Sequence, residues 1–404
     1  MKNNCVYPAD ILLPAAGIDP EKWAVVAVDQ YTSEPEYWRK AEETVGDAPS
    51  ALRLTLPEIY LNESDARIPE MQRNMRDYLD GGALRHAVRN GYILVERTTE
   101  TGTRRGLMAC LDLEAYDYAP GSRSPIRATE GTVLERVPPR VRIRRGAALE
   151  LPHILMLLND AKRQVIEPLY EDRAALPPLY DLELMQGGGH LRGWKVEGSA
   201  AQRVEAALDA AAAECSDLFL AVGDGNHSLA AARAYWLELR ESVPEAERAN
   251  HPARYALAEI ENLHCPAIQF EPVHRVLMNV DPEALLREWE AAMPAPGDGF
   301  ALTAVSQGVE RRYSFAQHPL RALQEFLDGY LSAHPEAAID YIHGDGVLRR
   351  LAGRPGALGF LLCGFEKADL FPYIENWGVL PRKTFSMGHA HEKRYYFEAR
   401  KIEK

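Results

Sequence analysis

The alternation of apolar and polar positions is clearest at residues 218–236. Five consecutive apolar residues, Leu218-Phe-Leu-Ala-Val222, predict a strand buried on both faces. From Ser228 onward the alanines, with Leu229, Tyr235 and Trp236, predict a helix. Between the two lies Gly223-Asp-Gly-Asn-His-Ser228, whose glycines allow a sharp bend. Asn226 or Ser228 can cap the helix by accepting its first amide hydrogens.

Elsewhere the pattern predicts strands at residues 23–28 and 52–56 and a helix opening at Thr32 or Ser33 before Glu34-Pro35. An amphipathic helix is expected over 66–90, and strands at 91–97 and 106–113 flank a Thr-Gly-Thr turn. A helix is expected over 147–167, a second hairpin within 181–196, a helix at 200–214, and strands at 256–260 and 267–277. Gly187-Gly-Gly189 reads as a plain turn, since no helix follows it. A Pro/Gly-rich patch at 292–299 marks a change of texture. These elements predict a mixed α/β chain with a core over 1–285, a smaller α+β unit over 286–372, and a segment, 373–404, returning to the core.

A chain of 404 residues exceeds one simple core. Its net charge of −13 opposes nucleic acid and anionic membranes, so bound phosphate would need a local basic pocket. Cys5, Cys110, Cys215, Cys265 and Cys363 are odd in number and lack CxxC spacing, against a disulfide framework or zinc ribbon. No apolar run approaches a membrane span, and the first apolar stretch is broken by proline. The expectation is a cytoplasmic protein with a small-molecule substrate and no nucleic-acid or membrane partner, homo-oligomerisation being left open.

Strand, glycine turn and helix start together form an anion cradle, because unpaired N–H groups and the positive dipole end point one way. Asp224 and His227 add a carboxylate and an imidazole. The bland reading is an ordinary Asp/Asn turn. Asp29 and Glu34 at a strand end are candidate magnesium ligands or bases, or simply caps, and Glu58 could join them. Arg127 and Arg136, Arg140, Arg142, Arg144 and Arg145 read as an extended segment, most simply a charge-protected edge strand. His274 and Arg275 could meet an anion, though a lone histidine is otherwise structural. Arg382, Lys383, Thr384 and Ser386 offer a phosphate grip. His389 and His391, on one face of a strand, could bind metal with Glu392.

The chain also resembles a known family. Gly223-Asp-Gly-Asn-His-Ser228 resembles an Asp-Gly-His-His-Arg box, with Asn226 and Ser228 in place of a histidine and an arginine. Glu271-Pro-Val-His-Arg275 resembles a Pro-Thr-His-Arg box, and Leu380-Pro-Arg-Lys-Thr-Phe385 a Met-Pro-Pro-Lys-Ser-Thr box. Arg127 to Glu130 resembles a segment ending in His-Glu. Their order is similar to that in domain-of-unknown-function family 1015, related to the ParB/sulfiredoxin superfamily and to free L-serine kinases. The resemblance implies a ParB-like catalytic core with large insertions. It implies a Mg²⁺-dependent phosphotransferase acting on a free amino acid or other small hydroxyl compound, L-serine first, with ATP, ADP or pyrophosphate as donor. Asp224, His227 and Glu34 would be catalytic, and Asp224 and Asp29 would hold the metal. Gly225, Asn226, Ser228, Lys383, Thr384, Arg382, His274 and Arg275 would bind phosphate. Lys383 or Arg275 could replace the charge lost at Ser228. The alternative is a non-catalytic regulator of ParB-like type that binds a metabolite or nucleotide. A sulfiredoxin-type reaction is disfavoured, because the 223–228 loop has no cysteine.

Overall fold

The central hairpin shows how the sequence builds the sheet. In the strand Leu84–Thr99, Tyr92 and Leu94 enter one core while Ile93 and Val95 enter another, on the opposite face. Its partner, Gly102–Asp112, divides Leu107, Ala109 and Leu111 from Met108 and Cys110 in the same way. The two-residue period thus gives a sheet covered on both faces. The computed structural model describes residues 4–27, 31 and 34–404. Asp29, Thr32 and Ser33 lie outside the described residues.

The chain forms two units, Met1–Ile268 with Gly388–Lys404, and Gln269–Met387. In the first, nine strands run in the order Pro178–Leu184, Gly189–Val196, Leu84–Thr99, Gly102–Asp112, Tyr255–Asn262, Leu155–Leu158, Leu220–Asp224, Ile126–Ala128 and Tyr116–Asp117. Val6–Tyr7 and Ala9–Pro14 pair along the hairpin strands. Antiparallel and parallel pairings mix in this sheet, so the fold is mixed α/β. The helices Ser199–Glu214 and Asn226–Arg240 contribute Val204, Leu208, Leu229 and Trp236 to one core. Among the described residues no helix is long and apolar enough to cross a membrane.

The second unit has its own sheet, ordered Val309–Phe315, Pro296–Ser306, Ala357–Leu362, Phe270–Met278 and Ala338–His343, with Phe385–Met387 beside Phe270. Trp289, Phe315 and Phe360 pack on one face, and Val276, Leu348 and Leu361 on the other.

Several expectations need correction. Residues 52–56 give no strand; Ala51–Arg53 is a 3₁₀ turn opened by Ser50, which accepts from the Leu52 N–H at 3.2 Å. The helix expected over 66–90 spans Ser64–Asp80 and stops at Gly81-Gly82, Gly82 having φ +73°, before the long strand begins. The helix expected over 147–167 is instead the strands Leu149–Glu150 and Leu155–Leu158, followed by the helix Ile166–Glu171. Leu155–Leu158 is buried throughout, and a short apolar run without alternation does not distinguish strand from helix. The arginine-rich segment is a helix, Val137–Arg144, entered through proline, not an extended edge. His389 caps a 3₁₀ turn, Ala390–Glu392, and His391 lies within it, where a strand was expected.

The C-terminal segment is stitched into the first unit. Tyr395–Tyr396 pairs with Val25–Val26, and Arg400–Lys401 with Leu149–Glu150. Just before the first of these strands Arg394, buried, meets Glu259 at 2.7 Å and Glu398 at 2.7 Å. Glu398 also accepts from the Tyr180 hydroxyl at 2.6 Å. Gly106 is glycine because a Cβ there would collide with the Glu259 carboxylate. Arg394→Met should leave two buried carboxylates short of a cation and cost about 3–5 kcal/mol. Urea denaturation checks this, and a midpoint equal to wild type would refute it.

Candidate functional site

Asp224 closes the strand Leu220–Asp224, and the next residue, Gly225, has φ +84°, left-handed. A side chain there would be strained by the backbone, and its Cβ would lie 3.1 Å from Ile154 Cα. The Gly225 N–H donates to Asp224 Oδ1 at 2.9 Å. The helix Asn226–Arg240 begins at once, with the Ser228 and Leu229 N–H groups on the Gly225 carbonyl at 3.0 Å. Gly225 is therefore the cap residue, and no side chain caps this helix. That corrects the capping expected of Asn226 or Ser228, which both lie inside the first turn. Asn226 Oδ1 is buried with no hydrogen-bond partner among the described residues. His227 Nε2 accepts from the Val133 N–H at 3.1 Å. Ser228 Oγ lies 3.0 Å from His153 Nε2.

Lys393, which the sequence reading did not single out, stands beside Asp224 with Nζ 3.5 Å from Oδ2. Two buried arginines hold the backbone that presents it. Arg97 donates to the carbonyls of Gly188, His391, Glu392 and Lys393, at 2.6–3.0 Å, and Arg104 donates to the Glu392 carbonyl at 2.6 Å. Asp224 and Glu259 both face Leu155 in register, from the strands on either side of it. Glu261, two residues on, has Arg104 Nε at 3.8 Å. Burial pushes the Glu261 carboxyl up to about 7, against the pull of Arg104.

The remaining candidates separate. Glu34 is exposed at the start of the helix Pro35–Val45 and makes no capping bond. Glu58 pairs with Arg140 at 2.6 Å. Arg127 pairs with Asp217, Arg142 with Asp65, Arg144 with Glu150 and Arg145 with Glu238. His391 contacts Glu100 at 3.1 Å. Burial would raise the Glu392 carboxyl, but hydrogen bonds from Thr101, Thr99 and the His389 N–H hold it down to about 2. Among the described residues no three His, Cys, Asp or Glu side chains are grouped to hold a metal.

In the second unit, His274 is buried, accepting from the Leu362 N–H at 3.2 Å and contacting Asp345 at 3.0 Å. Burial pushes its pKa down, with Asp345 opposing. Arg275 is fully buried and donates to the carbonyls of Val273, Arg382 and Lys383 and to Gln324. It supports a turn. On that turn Lys383 has φ +57° and is exposed, Arg382 donates to the Tyr341 hydroxyl at 3.0 Å, and buried Thr384 donates to the Pro381 carbonyl at 2.5 Å.

A cavity of about 140 Å³ adjoins the cradle helix within the first unit. Leu54, Leu56, Leu61, Met75, Ile143 and Ala231 supply apolar wall, and His153, Ser228 and Tyr396 one polar end. Arg140 and Arg144 also line it, each already paired with a glutamate. His153 and Tyr396 lack any motif; only their spatial convergence with Ser228 reveals them.

A family model described as a protein of unknown function (DUF1015) matches residues 12–401. No curated protein matches the chain. Among solved structures the chain is similar to a free serine kinase in complex with AMP, at 10% identity and TM-score 0.39, covering 71% of this chain and 92% of that one. It is similar to a conserved hypothetical protein from Pyrococcus furiosus, at 9% identity and TM-score 0.38, covering 72% and 94%. It is also similar to SbnI with C-terminal truncation from Staphylococcus aureus, at 10% identity and TM-score 0.36, covering 67% and 82%.

The raised pKa of Glu261 has a sign that can be tested. A carboxyl whose folded pKa exceeds its unfolded value contributes stability that is fully present below the unfolded pKa and lost as pH rises through the folded one. Wild type should therefore lose stability relative to Glu261→Gln between about pH 4.5 and 7, by on the order of 3 kcal/mol. Urea denaturation of both proteins across that range checks it, and a constant difference between them would refute it.

Proposed function

The chain belongs to the DUF1015 family of proteins of unknown function, and from that premise we propose that it is a phosphotransferase acting on a free amino acid or another small hydroxyl compound, L-serine first. The donor would be ATP, ADP or pyrophosphate. The observation that carries this reading is left-handed Gly225 between Asp224 and the start of a 15-residue helix, with Lys393 3.5 Å from the same aspartate. A helix start of this kind favours phosphate oxygens, and a nearby cation offsets charge that builds up during transfer. Phosphoryl transfer asks mainly for positioning and neutralisation, which these groups supply.

Mg²⁺ suits the site in one respect: it is commonly held by one or two carboxylates together with the substrate's own phosphates, so a dedicated cluster is not required. Asp224, a quarter exposed, would provide that carboxylate, with Asp29 or Glu34 as the second. The ion would neutralise the donor's phosphate oxygens. His227, its ring fixed by Val133, would hydrogen-bond a phosphoryl oxygen. The backbone of Gly225 and Asn226 would line the cradle, while the Ser228 hydroxyl is engaged by His153. In its own unit, the Arg382–Lys383 turn is a second candidate anion contact.

The departure from the family box at Asn226 and Ser228 favours a second reading, a regulator that binds a nucleotide or metabolite without turnover. Phosphorus NMR with Mg²⁺, a panel of small hydroxyl compounds, and ATP, ADP or pyrophosphate separates the two. Ligand-dependent melting shifts without product would support the regulator. Asp224→Asn should keep the turn, because Asn can accept the Gly225 N–H and is equally tolerated there. Its melting temperature should barely move while phosphoryl transfer falls by roughly 10²-fold or more. Transfer at the wild-type rate would remove Asp224 from the mechanism.

A further inference from the structure

The inward face of the same helix carries a constellation that phosphoryl transfer does not use. We propose that Ser228, His153 and Tyr396 form a nucleophilic relay that hydrolyses esters or thioesters of small, uncharged hydrocarbon acids. Ser228 Oγ is 3.0 Å from His153 Nε2, and His153 Nδ1 is 2.9 Å from the Tyr396 hydroxyl. A nucleophile within reach of a base, itself oriented by a third group, is the arrangement that activates a serine. The three residues come from segments far apart in the chain. His153 precedes the strand Leu155–Leu158, Ser228 is the third residue of its helix, and Tyr396 lies in the strand Tyr395–Tyr396. His153 and Tyr396 are buried at 8% and 3% exposure, so both rings are fixed, whereas Ser228 keeps partial exposure.

All three line the 140 Å³ cavity, and its composition sets the substrate class. The volume is close to that of an apolar cavity that takes up benzene, so the acyl group would hold about six carbons. Its arginines are already neutralised, Arg140 by Glu58 and Arg144 by Glu150, at 2.6 and 2.7 Å. A charged acyl group would find no unpaired counter-charge in this wall and would lose its hydration. Serine at the third helical position also places the reacting carbonyl near the positive end of the helix, where a developing oxyanion is stabilised.

The chemistry closes without a cofactor. Ser228 Oγ bonds to the acyl carbon while its proton passes to His153 Nε2. The tetrahedral adduct collapses as the bond to the leaving oxygen or sulfur breaks, and His153 returns the proton to the departing alcohol or thiol. Water then attacks the Ser228 ester, giving a proton to His153, which passes it to Oγ as the carboxylic acid leaves. Tyr396 is a positioning residue whose hydroxyl oxygen accepts a hydrogen bond from His153 Nδ1–H, which holds the tautomer that keeps Nε2 available as the base.

The test uses the full chain without nucleotide or Mg²⁺, so its outcome is separate from that of the phosphotransferase reading. The expected results are stoichiometric labelling of Ser228 by a fluorophosphonate, mapped by peptide mass, and hydrolysis of p-nitrophenyl butyrate and hexanoate in preference to the charged succinate half-ester. Ser228→Ala and His153→Gln should each lower hydrolysis by about 10²-fold or more. Tyr396→Phe should lower kcat by roughly 10-fold, leave KM unchanged and shift the pH profile of kcat/KM. Ser228→Cys, nearly isosteric, keeps the folded site testable and should accumulate an acyl-enzyme visible as a mass increment. Absence of labelling, labelling at another residue, or wild-type hydrolysis by a folded Ser228→Ala protein would each overturn the relay.

Discussion

The arrangement of the larger unit depends on burying a set of charges that can be tolerated only as a network. Arg394 sits between Glu259 and Glu398, and Arg97 and Arg104 spend their donors on carbonyls of residues 391–393 and on Gly188. Taking such groups out of water costs several kcal/mol per ion, which good geometry and full hydrogen bonding must offset. Glu259 and Glu261 come from the sheet, and Arg394 and Glu398 from the last residues of the chain. The network therefore ties the C-terminal segment to the sheet. That arrangement places Lys393 beside Asp224.

Gly225 is the second constraint. Its left-handed φ lets Leu220–Asp224 turn into a helix within one residue, and the absence of a Cβ lets Ile154 approach closely. The same contact keeps the start of the strand Leu155–Leu158 against the loop, so His153, two residues earlier, is held within reach of the first helical turn. Backbone permissiveness at a single position thus sets both the aspartate at the strand end and the histidine behind the helix.

The elements legible in the sequence were those with long or repeated signals. The helix at 200–214, the hairpin around residue 100 and the strand-turn-helix at 218–236 were read from local periodicity, and the structure has each of them. Residues 147–167 were not, because a strand buried on both faces shows no alternation, and Pro152 suits a helix start as well as a break. The arginines at 136–145 alternate in the way an edge strand would, and their helix is evident only from the acids they meet, Glu58, Asp65, Glu150 and Glu238. In the candidate site, Asp224 and His227 stood out because they share a loop. Lys393, His153 and Tyr396 carry no local signature, since their roles arise from contacts across 169, 75 and 243 positions.

Ser228 shows how a single residue can alter what such a loop offers. Its side chain lies on the same helical face as Ala231, three residues on, and both line the cavity. An arginine at this position, as in the box that the loop resembles, would carry its long side chain along that face and into the space that serine leaves open. It would also bring a third cation up to Arg140 and Arg144, whose charges are already balanced by Glu58 and Glu150. Serine removes both problems and gives His153 a hydroxyl to engage. The cavity, the balanced walls and the Ser228–His153 contact are therefore mutually consistent, and a cation, Lys393, stands 3.5 Å from the loop's Asp224.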